Sequence, residues 1–216
     1  INESVYPDLA EFWEDLAQVY RHQLQHLAEL GFTYVQMDDC AFTMLLDDDV
    51  RGRIQERGDD PEELLDTYIR AINLALKDRP AELTIGTHLC RGNNRGHWLA
   101  SGGYDFVAEK LFSQLEVDAF FLEYDSERAG SFDPLRFMPE NKKVVLGLIS
   151  SKLPDLEDGG EVKQRIDEAS KYVPLENLCL SPQCGFASVY QGNPVTVDHQ
   201  RAKLSLIVDT AEDVWG

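Results

Sequence analysis

Amphipathic helical patterns and short apolar runs alternate along this chain. Residues 8–30 place apolar side chains from Leu9 to Leu27 at steps of three and four, as in a helix that buries one face. Residues 32–37 then form a short apolar run typical of a buried strand. The same alternation predicts further strands at 83–87, 119–122, 144–149 and 178–180, and further helices at 61–76, 104–115, 160–172 and 197–213. Strands linked by helices indicate an α/β fold built on a parallel sheet.

Residues able to do chemistry stand where each predicted strand ends: Asp38, His88, Glu123, Ser150 and Cys184. Active sites of (β/α)8 barrels are built at this end of the strands. The chain also lacks the Gly-x-Gly-x-x-Gly phosphate loop that would favour a doubly wound sheet. We therefore predict a (β/α)8 TIM barrel, of which this chain supplies the last five βα units. Residues 1–216 would then be the C-terminal part of a single barrel domain whose three N-terminal βα units are absent, and an open sheet is the alternative.

Charge and cysteine usage limit the classes of partner. The formal net charge of −19 would repel a phosphate backbone and anionic lipid headgroups, so we exclude nucleic acid and membrane surfaces. No apolar stretch approaches the roughly 20 residues that span a bilayer, and the first residues do not resemble a signal peptide. Four scattered cysteines fit reduced thiols better than a disulfide framework. We expect a soluble, cytoplasmic protein, and the sequence leaves its oligomeric state open.

The strand-end residues include a set of metal-binding types. Two thiols, an imidazole and a carboxylate at the same ends of neighbouring strands suit one Zn²⁺ ion, because thiolate ligands favour zinc over Mg²⁺ or Ca²⁺. The predicted zinc ligands are His88, Cys90, Glu123 and Cys184. Each has an alternative: a hydrogen-bonded polar residue for His88, small buried hydrophobes for the two cysteines, and Asp125 or Glu127 in place of Glu123. Cys40 could also face the site, but we leave it out of the ligand set.

Other residues are predicted to be structural. Cys179 lies within Leu-Cys-Leu and is assigned to the core, as is Trp98. Arg128 is assigned to a turn. The acidic segment 47–60 is predicted to be a solvated loop rather than a site.

The predicted ligand set favours one kind of chemistry. Coordination to zinc deprotonates a thiol that would otherwise be mostly protonated at pH 7. Two cysteinates and a glutamate give the ion a net charge of about −1 by ligand counting. Such a site should be a poor activator of water, but it should keep a bound substrate sulfur nucleophilic. Glu123 is the ligand expected to yield to that sulfur, since a carboxylate is a harder ligand than a thiolate.

Four motifs in order also carry a family resemblance. They are Val-Gln-Met-Asp-Asp at 35–39, Thr-His-Leu-Cys-Arg-Gly-Asn at 87–93, Phe-Leu-Glu-Tyr-Asp at 121–125 and Ser-Pro-Gln-Cys-Gly-Phe at 181–186. Together they resemble the catalytic, C-terminal domain of cobalamin-independent methionine synthase, and in particular its short, single-barrel members. The resemblance covers essentially the whole chain. It implies zinc-dependent transfer of a methyl group to the thiol of homocysteine, forming methionine, from a methyl-folate or methyl-corrinoid donor.

The resemblance also implies roles for single residues. It gives the zinc ligands named above, and it makes Asp38 the partner of the homocysteine amino group, so catalytic roles fall to Asp38 and Glu123. Arg91 and Asn93 are candidates to hold a carboxylate or phosphate of the substrate, with surface solvation as the alternative. The family's proton-transfer histidine is missing from residues 148–152, where Lys152 or Ser151 could substitute.

Two alternative functions stay open. The first is another zinc-dependent thiol alkyltransferase of the same family, such as one that opens an epoxide with coenzyme M, whose sulfonate would require cations such as Arg91 or Arg95. The second is a non-catalytic metal-binding or interaction module. Ligands drawn from three distant strands speak against a structural zinc site, whose ligands are usually close in sequence.

Overall fold

The computed structural model describes residues 1–2 and 4–216, and it is organised around one five-stranded parallel sheet. Its strands are β1 (Tyr34–Asp38), β2 (Thr84–Leu89), β3 (Ala119–Glu123), β4 (Lys143–Ile149) and β5 (Leu178–Pro182). They lie in chain order, each parallel to the next. A doubly wound sheet would instead reverse its order at an internal strand. Sequential order is the arrangement of consecutive barrel strands, as predicted.

Helices cover one side of this sheet. The α-helices are α1 (Leu9–Glu29), α2 (Ala41–Met44), α3 (Asp48–Glu56), α4 (Pro61–Leu76), α5 (Ala108–Gln114), α6 (Gly159–Ala169) and α7 (Val197–Trp215). Short 3-10 helices occupy Tyr104–Phe106, Glu127–Ala129, Asp133–Phe137 and Leu175–Asn177. The predicted helix 104–115 is therefore a 3-10 turn followed by α5. Among the described residues, no helix is both long enough and apolar enough to cross a membrane.

Alternate residues of the strands face the helices and form the core. Ile85, Phe120, Val144 and Leu146 are completely buried in this layer. Burying a large apolar side chain of this kind contributes about 1.5–3 kcal/mol relative to leaving it exposed. In β2 and β4 the residues between these core positions are also mostly buried, which explains why these strands read as continuous apolar runs in the sequence.

The other face of the sheet, which we call the site face, carries the intervening residues. The register places Asp38 beside His88, and His88 beside Phe121. Several members of this face are exposed or half-buried, including Gln36 and Cys179. The prediction that Cys179 lies in the core was wrong, because this residue alternates with the buried Leu178 and therefore points to the site face.

The acidic segment 47–60 was predicted to be a solvated loop. This was wrong, because the segment contains helix α3. The Asp47 carboxylate accepts hydrogen bonds from the backbone N–H groups of Asp49 and Val50, at 3.0 and 3.3 Å, and so caps the helix. The same carboxylate accepts the backbone N–H of Ser101 at 2.8 Å, which ties α3 to the loop that follows β2. The high density of acidic residues was interpreted as a loop, although acidic residues stabilise the first turn of this helix.

We expect Asp47→Ala to lower the free energy of unfolding by about 1–2 kcal/mol, since the helix cap is lost. The tie to Ser101 is lost with it. Urea denaturation followed by circular dichroism measures the change. Asp49→Ala removes a nearby exposed carboxylate that caps nothing, and it should change stability by about 0.5 kcal/mol or less. Equal effects of the two substitutions would contradict a capping role for Asp47.

Candidate metal centre

Three of the four predicted ligands converge at the carboxyl ends of the strands. One ligand atom from each of His88, Cys90 and Cys184 lies within 4.8 Å of the other two. His88 and Cys90 are 8% and 5% exposed, and Cys184 is half-buried. Two thiols and an imidazole at this spacing form a candidate metal centre, and the donor types suit Zn²⁺.

Strand β2 and its neighbours hold the first two of these residues. His88 lies in β2, and its carbonyl oxygen accepts the backbone N–H of Asp39 at 3.0 Å, which joins the ends of β1 and β2. Directly after Cys90, the backbone N–H of Arg91 donates to the Glu123 carboxylate at 2.6 Å. The chain that carries both ligands is therefore fixed from two neighbouring strands.

Cys184 is positioned by the residue before it. The Gln183 backbone N–H donates to the Ile149 carbonyl at 2.8 Å, and its side-chain amide donates to the Ser151 hydroxyl at 2.8 Å. Gly147 makes this approach possible, because a Cβ there would lie 2.8 Å from the Gln183 Cα. The side-chain-free position in β4 thus lets the loop after β5 fold over the site.

The surroundings of the thiols favour their neutral forms. Contact with Cys184 lowers the pKa of Cys90, but contact with Cys40 and burial outweigh it and raise that pKa to about 11. Contact with Cys90 and burial raise the pKa of Cys184 to about 12. Thiolates here need a compensating cation, and metal binding would supply it.

His88 provides a second test of whether these residues fit a metal. Its Nε2 atom is buried and has no hydrogen-bond partner among residues 1–2 and 4–216. A buried polar atom without a partner is costly in a folded protein. Imidazole nitrogen is a common zinc ligand, so an ion at this position would satisfy the donor set. The three residues therefore fit a zinc ion.

Cys40 adjoins this group, although it was left out of the predicted ligand set. Its Sγ atom lies 3.8 Å from the Cys90 Sγ atom. It does not belong to the group whose ligand atoms all lie within 4.8 Å of one another. In the sequence, the only indication of such a position is that Cys40 follows the end of β1 by two residues. Its contact with Cys90 depends on tertiary packing.

Glu123 is brought near the group but is bound to other partners. The carboxylate is fully buried; one oxygen accepts the Arg91 backbone N–H, and the other accepts from the Arg128 guanidinium and, at 3.2 Å, from Lys152 Nζ. Burial alone would raise the pKa of Glu123, but Lys152, the Arg91 amide and Arg128 hold it below its usual range. Both oxygens are therefore engaged by protein groups, and the residue is outside the three-residue metal group.

Arg128 and Lys152 form a buried charge cluster with Glu123 and Asp125. Lys152 Nζ lies 3.2 Å from an Asp125 carboxylate oxygen, which also accepts the Ser150 hydroxyl at 2.8 Å. Arg128 lies in the 3-10 turn Glu127–Ala129, as predicted, and its guanidinium also pairs with both carboxylates. Two cations and two carboxylates balance in charge.

Trp98 was predicted to be a core residue, and this was also wrong. The side chain is 55% exposed, and the Arg128 guanidinium carbon lies 4.7 Å from its ring centroid. The residue borders a cavity of about 520 Å³ that is also lined by Arg128, Lys152 and Leu156. A cavity therefore adjoins the charge cluster that holds Glu123.

The two predicted substrate-anchoring residues make internal contacts. The Arg91 guanidinium is fully buried, donates to the Gly102 and Glu123 carbonyl oxygens at 2.8 and 3.1 Å, and stacks on Tyr104. The Asn93 side-chain oxygen accepts the Gly96 backbone N–H at 3.1 Å. These contacts shape the loop that carries Cys90, and direct contact with a substrate stays a prediction for both residues.

Asp38 ends β1 on the site face and is exposed. The register pairs it with His88, so its backbone neighbours the metal group. Its carboxylate accepts a weak hydrogen bond from the Gln36 amide at 3.4 Å. The position leaves a carboxylate available beside the candidate metal centre, as its predicted role requires.

Comparison with known proteins identifies the family to which this chain is similar. Residues 2–213 match the family described as "Cobalamin-independent synthase, Catalytic domain". YxjH of Bacillus subtilis, itself uncharacterised, is 46% identical over 215 residues, which are 99% of this chain and 57% of that protein. The methionine synthase of Pyrococcus abyssi is 27% identical over 83% of this chain and 44% of its own length.

Two further comparisons concern a more distant enzyme and a solved structure. The 5-methyltetrahydropteroyltriglutamate–homocysteine methyltransferase of Bacillus velezensis is 23% identical over 89% of this chain and 22% of its own length. A Listeria monocytogenes crystal structure, provisionally assigned as a vitamin-B12 independent methionine synthase, is 37% identical with a TM-score of 0.74. It is matched over 97% of this chain and 57% of that one.

These matches extend along nearly the whole chain, although the chain spans about half the length, or less, of the relatives it matches. The predicted TIM-barrel fold class is confirmed, and the five sheet strands are part of such a barrel. The chain belongs to the cobalamin-independent methionine synthase family, and its residues 2–213 match the catalytic domain of that family.

Proposed function

We propose that the protein carrying this chain transfers a methyl group to the thiol of homocysteine and so forms methionine, with a zinc ion held by His88, Cys90 and Cys184. The observation that supports this most is the convergence of these three side chains at the strand ends. Relatives named methionine synthase and homocysteine methyltransferase support the reaction type.

The donor set supports zinc in a catalytic rather than a structural role. When bound, zinc would lower the pKa of a coordinated thiol and keep its sulfur nucleophilic at neutral pH. Catalytic zinc sites typically combine three protein ligands with one exchangeable position, whereas structural sites are closed by four. His88, Cys90 and Cys184 would provide the three, and the acceptor thiol would take the fourth.

Glu123 remains a predicted ligand of the substrate-free site. To coordinate a metal, the carboxylate would have to release Arg128 and Lys152 or the Arg91 amide. In its present position the Glu123 carboxylate fixes the loop that carries Cys90. This contact supports a role for Glu123 in holding Cys90 in place.

The family description and the name of one relative favour a methyl-folate donor. The family is described as cobalamin-independent, and the Bacillus velezensis relative is named for a methyltetrahydropteroyl substrate. A methyl-corrinoid donor, which the sequence left open, has no support in this family. Thiol ligands of this kind must stay reduced, so we also propose a cytoplasmic location.

The substrate amino group is assigned to Asp38 in this proposal. We expect Asp38→Asn to weaken homocysteine binding about tenfold, because a charge-assisted hydrogen bond at an exposed site is lost. Isothermal titration of the zinc-loaded protein measures it. A matched control is 4-mercaptobutyrate, which is homocysteine without its amino group and should bind both proteins equally. Equal loss for both thiols would show that Asp38 does not recognise the amino group.

Methionine formation tests the reaction itself. Zinc-loaded protein is incubated with homocysteine and methyltetrahydropteroyl-triglutamate, and methionine is quantified by mass spectrometry. Methylcobalamin and chelator-treated protein serve as the two controls. We expect methionine only with the folate donor and only with zinc. A zinc-replete protein that forms none would contradict the proposed reaction.

A further inference from the structure

We propose that Arg128 and Lys152 are positioning residues that hold the Glu123 carboxylate when the acceptor thiol takes its place on the metal. Glu123 then has two binding positions. It completes the metal site before the thiol arrives, and it pairs with the two cations afterwards. The inference rests on the proposed function and keeps the predicted ligand set, and it gives two buried cations a part in acceptor binding.

The position on the two cations is the one that the structure shows. The Glu123 carboxylate is fully buried, and one of its oxygens accepts from the Arg128 guanidinium and, at 3.2 Å, from Lys152 Nζ. Its other oxygen accepts the Arg91 backbone N–H at 2.6 Å. A buried charge is stable only where partners of this kind replace water. Away from the metal, both oxygens of Glu123 therefore have partners.

The strand register keeps this carboxylate close to the metal group. β2 and β3 are paired as far as Leu89 and Leu122, so the next residues, Cys90 and Glu123, continue beside each other. The Glu123 backbone N–H donates to the Tyr104 hydroxyl at 2.9 Å, which fixes the end of β3. Exchange between the two positions therefore needs a rotation of the Glu123 side chain and leaves the strand in place.

Asp125 keeps the cations in place when Glu123 moves. Its carboxylate is 3% exposed and lies 3.2 Å from Lys152 Nζ and 3.4 Å from the Arg128 guanidinium. It also accepts the Ser150 hydroxyl at 2.8 Å. Because each cation retains this carboxylate partner, the departure of Glu123 leaves neither of them unpaired. The two cations therefore remain in position to receive Glu123 again.

Charge counting shows what the cations contribute. The buried cluster is neutral while Glu123 pairs with it, and it carries one positive charge when Glu123 is on the metal. By ligand counting, the metal group carries about −1 with either the carboxylate or a thiolate in that position. The acceptor arrives as R–SH and loses its proton to water, because a thiol coordinates zinc as the thiolate. The displaced carboxylate is therefore neutralised only where the two cations take it up.

The cations also compete with the metal for the same carboxylate. Loss of the Lys152 charge removes one partner of the displaced carboxylate and leaves its position on the metal unchanged. Thiol binding should therefore weaken, whereas zinc should be held at least as tightly. A residue that only supports the fold would weaken both.

Lys152→Met tests this competition in the zinc-loaded full chain. We expect the apparent Kd for homocysteine to rise about tenfold, as for loss of one charge-assisted hydrogen bond, while zinc affinity does not fall. Isothermal titration measures thiol binding, and competition with a chromophoric chelator measures zinc binding. Arg128→Met should act in the same direction, and Lys152→Arg, which retains the charge, should restore thiol binding. Lys142→Met is the matched control, since it removes a half-buried lysine next to the opposite end of β4.

Zinc K-edge absorption spectroscopy follows the Glu123 carboxylate itself. In the unsubstituted protein, homocysteine should replace one oxygen or nitrogen ligand by sulfur. In Lys152→Met, that ligand should persist at thiol concentrations that displace it in the unsubstituted protein. Glu123→Gln has no charged group to displace, so adding Lys152→Met to it should leave thiol affinity unchanged. Circular dichroism checks the fold of every variant.

The outcomes separate this inference from the proposed function. Equal weakening of zinc and thiol binding in Lys152→Met would overturn the inference while the three-ligand zinc site stands. Unchanged thiol affinity in that variant would do the same, as would a full oxygen and nitrogen ligand count after homocysteine binds the unsubstituted protein.

Two results concern the proposed function itself. A protein that retains no zinc would overturn both proposals, whereas thiol exchange without methionine formation would overturn the reaction and leave this inference standing. Weaker thiol binding with retained zinc in Lys152→Met, restored in Lys152→Arg, would establish the second position of Glu123.

Discussion

Cys184→Ser is expected to abolish stoichiometric zinc retention, and methyl transfer with it. Loss of groups that only orient metal ligands typically lowers metal affinity 10–100-fold, so loss of a ligand should exceed about 100-fold. The hydroxyl is a poorer zinc donor than a thiolate, so serine at this position does not replace the lost ligand. Competition with a chromophoric chelator measures the affinity.

Cys179→Ser is the matched control for this substitution. It removes an exposed thiol from the same strand region that is outside the metal group, and zinc affinity should be unchanged. The role assigned to Cys184 is wrong if its serine variant keeps one tightly bound zinc per chain.

The second large effect concerns stability. Glu123→Gln should lower the free energy of unfolding by about 3–5 kcal/mol, since it leaves Lys152 and Arg128 with one carboxylate between them in a buried site. Guanidinium denaturation of metal-free protein at pH 7 measures it, because bound zinc would add its own stabilisation.

The effect of this substitution should depend on pH in a defined direction. The pKa of Glu123 is held below its usual value of 4.5 in the folded state. A carboxylate with a lowered pKa stabilises the fold above the unfolded pKa, and that contribution is lost as pH falls through the folded value. The stability difference between the two proteins should therefore be full at pH 7 and shrink below about pH 4.5.

A compensating variant separates charge balance from packing. Glu123→Gln combined with Lys152→Met leaves Arg128 and Asp125 as a neutral pair, and it should recover part of the lost stability. A double variant that is as unstable as the sum of the two single variants would show that charge balance is not what Glu123 provides.

Local patterns were sufficient for most of the helices and strands. Helix α4 begins at Pro61, as predicted, because Asp60 caps it and proline suits the first turn. Gly31 follows α1 with a φ of +90°, the left-handed conformation that commonly ends a helix and that glycine adopts without strain. These helix ends depend on neighbouring residues, so sequence alone predicts them. The chain-ordered sheet was predicted on other grounds, because a doubly wound sheet shows the same alternation of strands and helices and only the residues at the strand ends favoured a barrel.

Errors arose where burial depends on a distant partner. Cys179 and Trp98 are apolar residues, but their side chains are exposed. Arg128 lies in a turn, and its two ion pairs form only because the fold brings two carboxylates to it. Helix α3 was missed because charge density was given more weight than the capping signal at Asp47.

For the metal group, residue type and strand-end position already selected His88, Cys90 and Cys184 in the sequence. The sequence by itself determined most of the helices and strands, the end of the sheet at which chemistry would gather, and the donor types present there. Only the tertiary structure decided which donors meet: it placed Cys40 against Cys90 and turned Glu123 toward Arg128 and Lys152. The physical reason is that strand-end position places a residue at a site, whereas ligand geometry depends on side chains that come together from separate strands and loops.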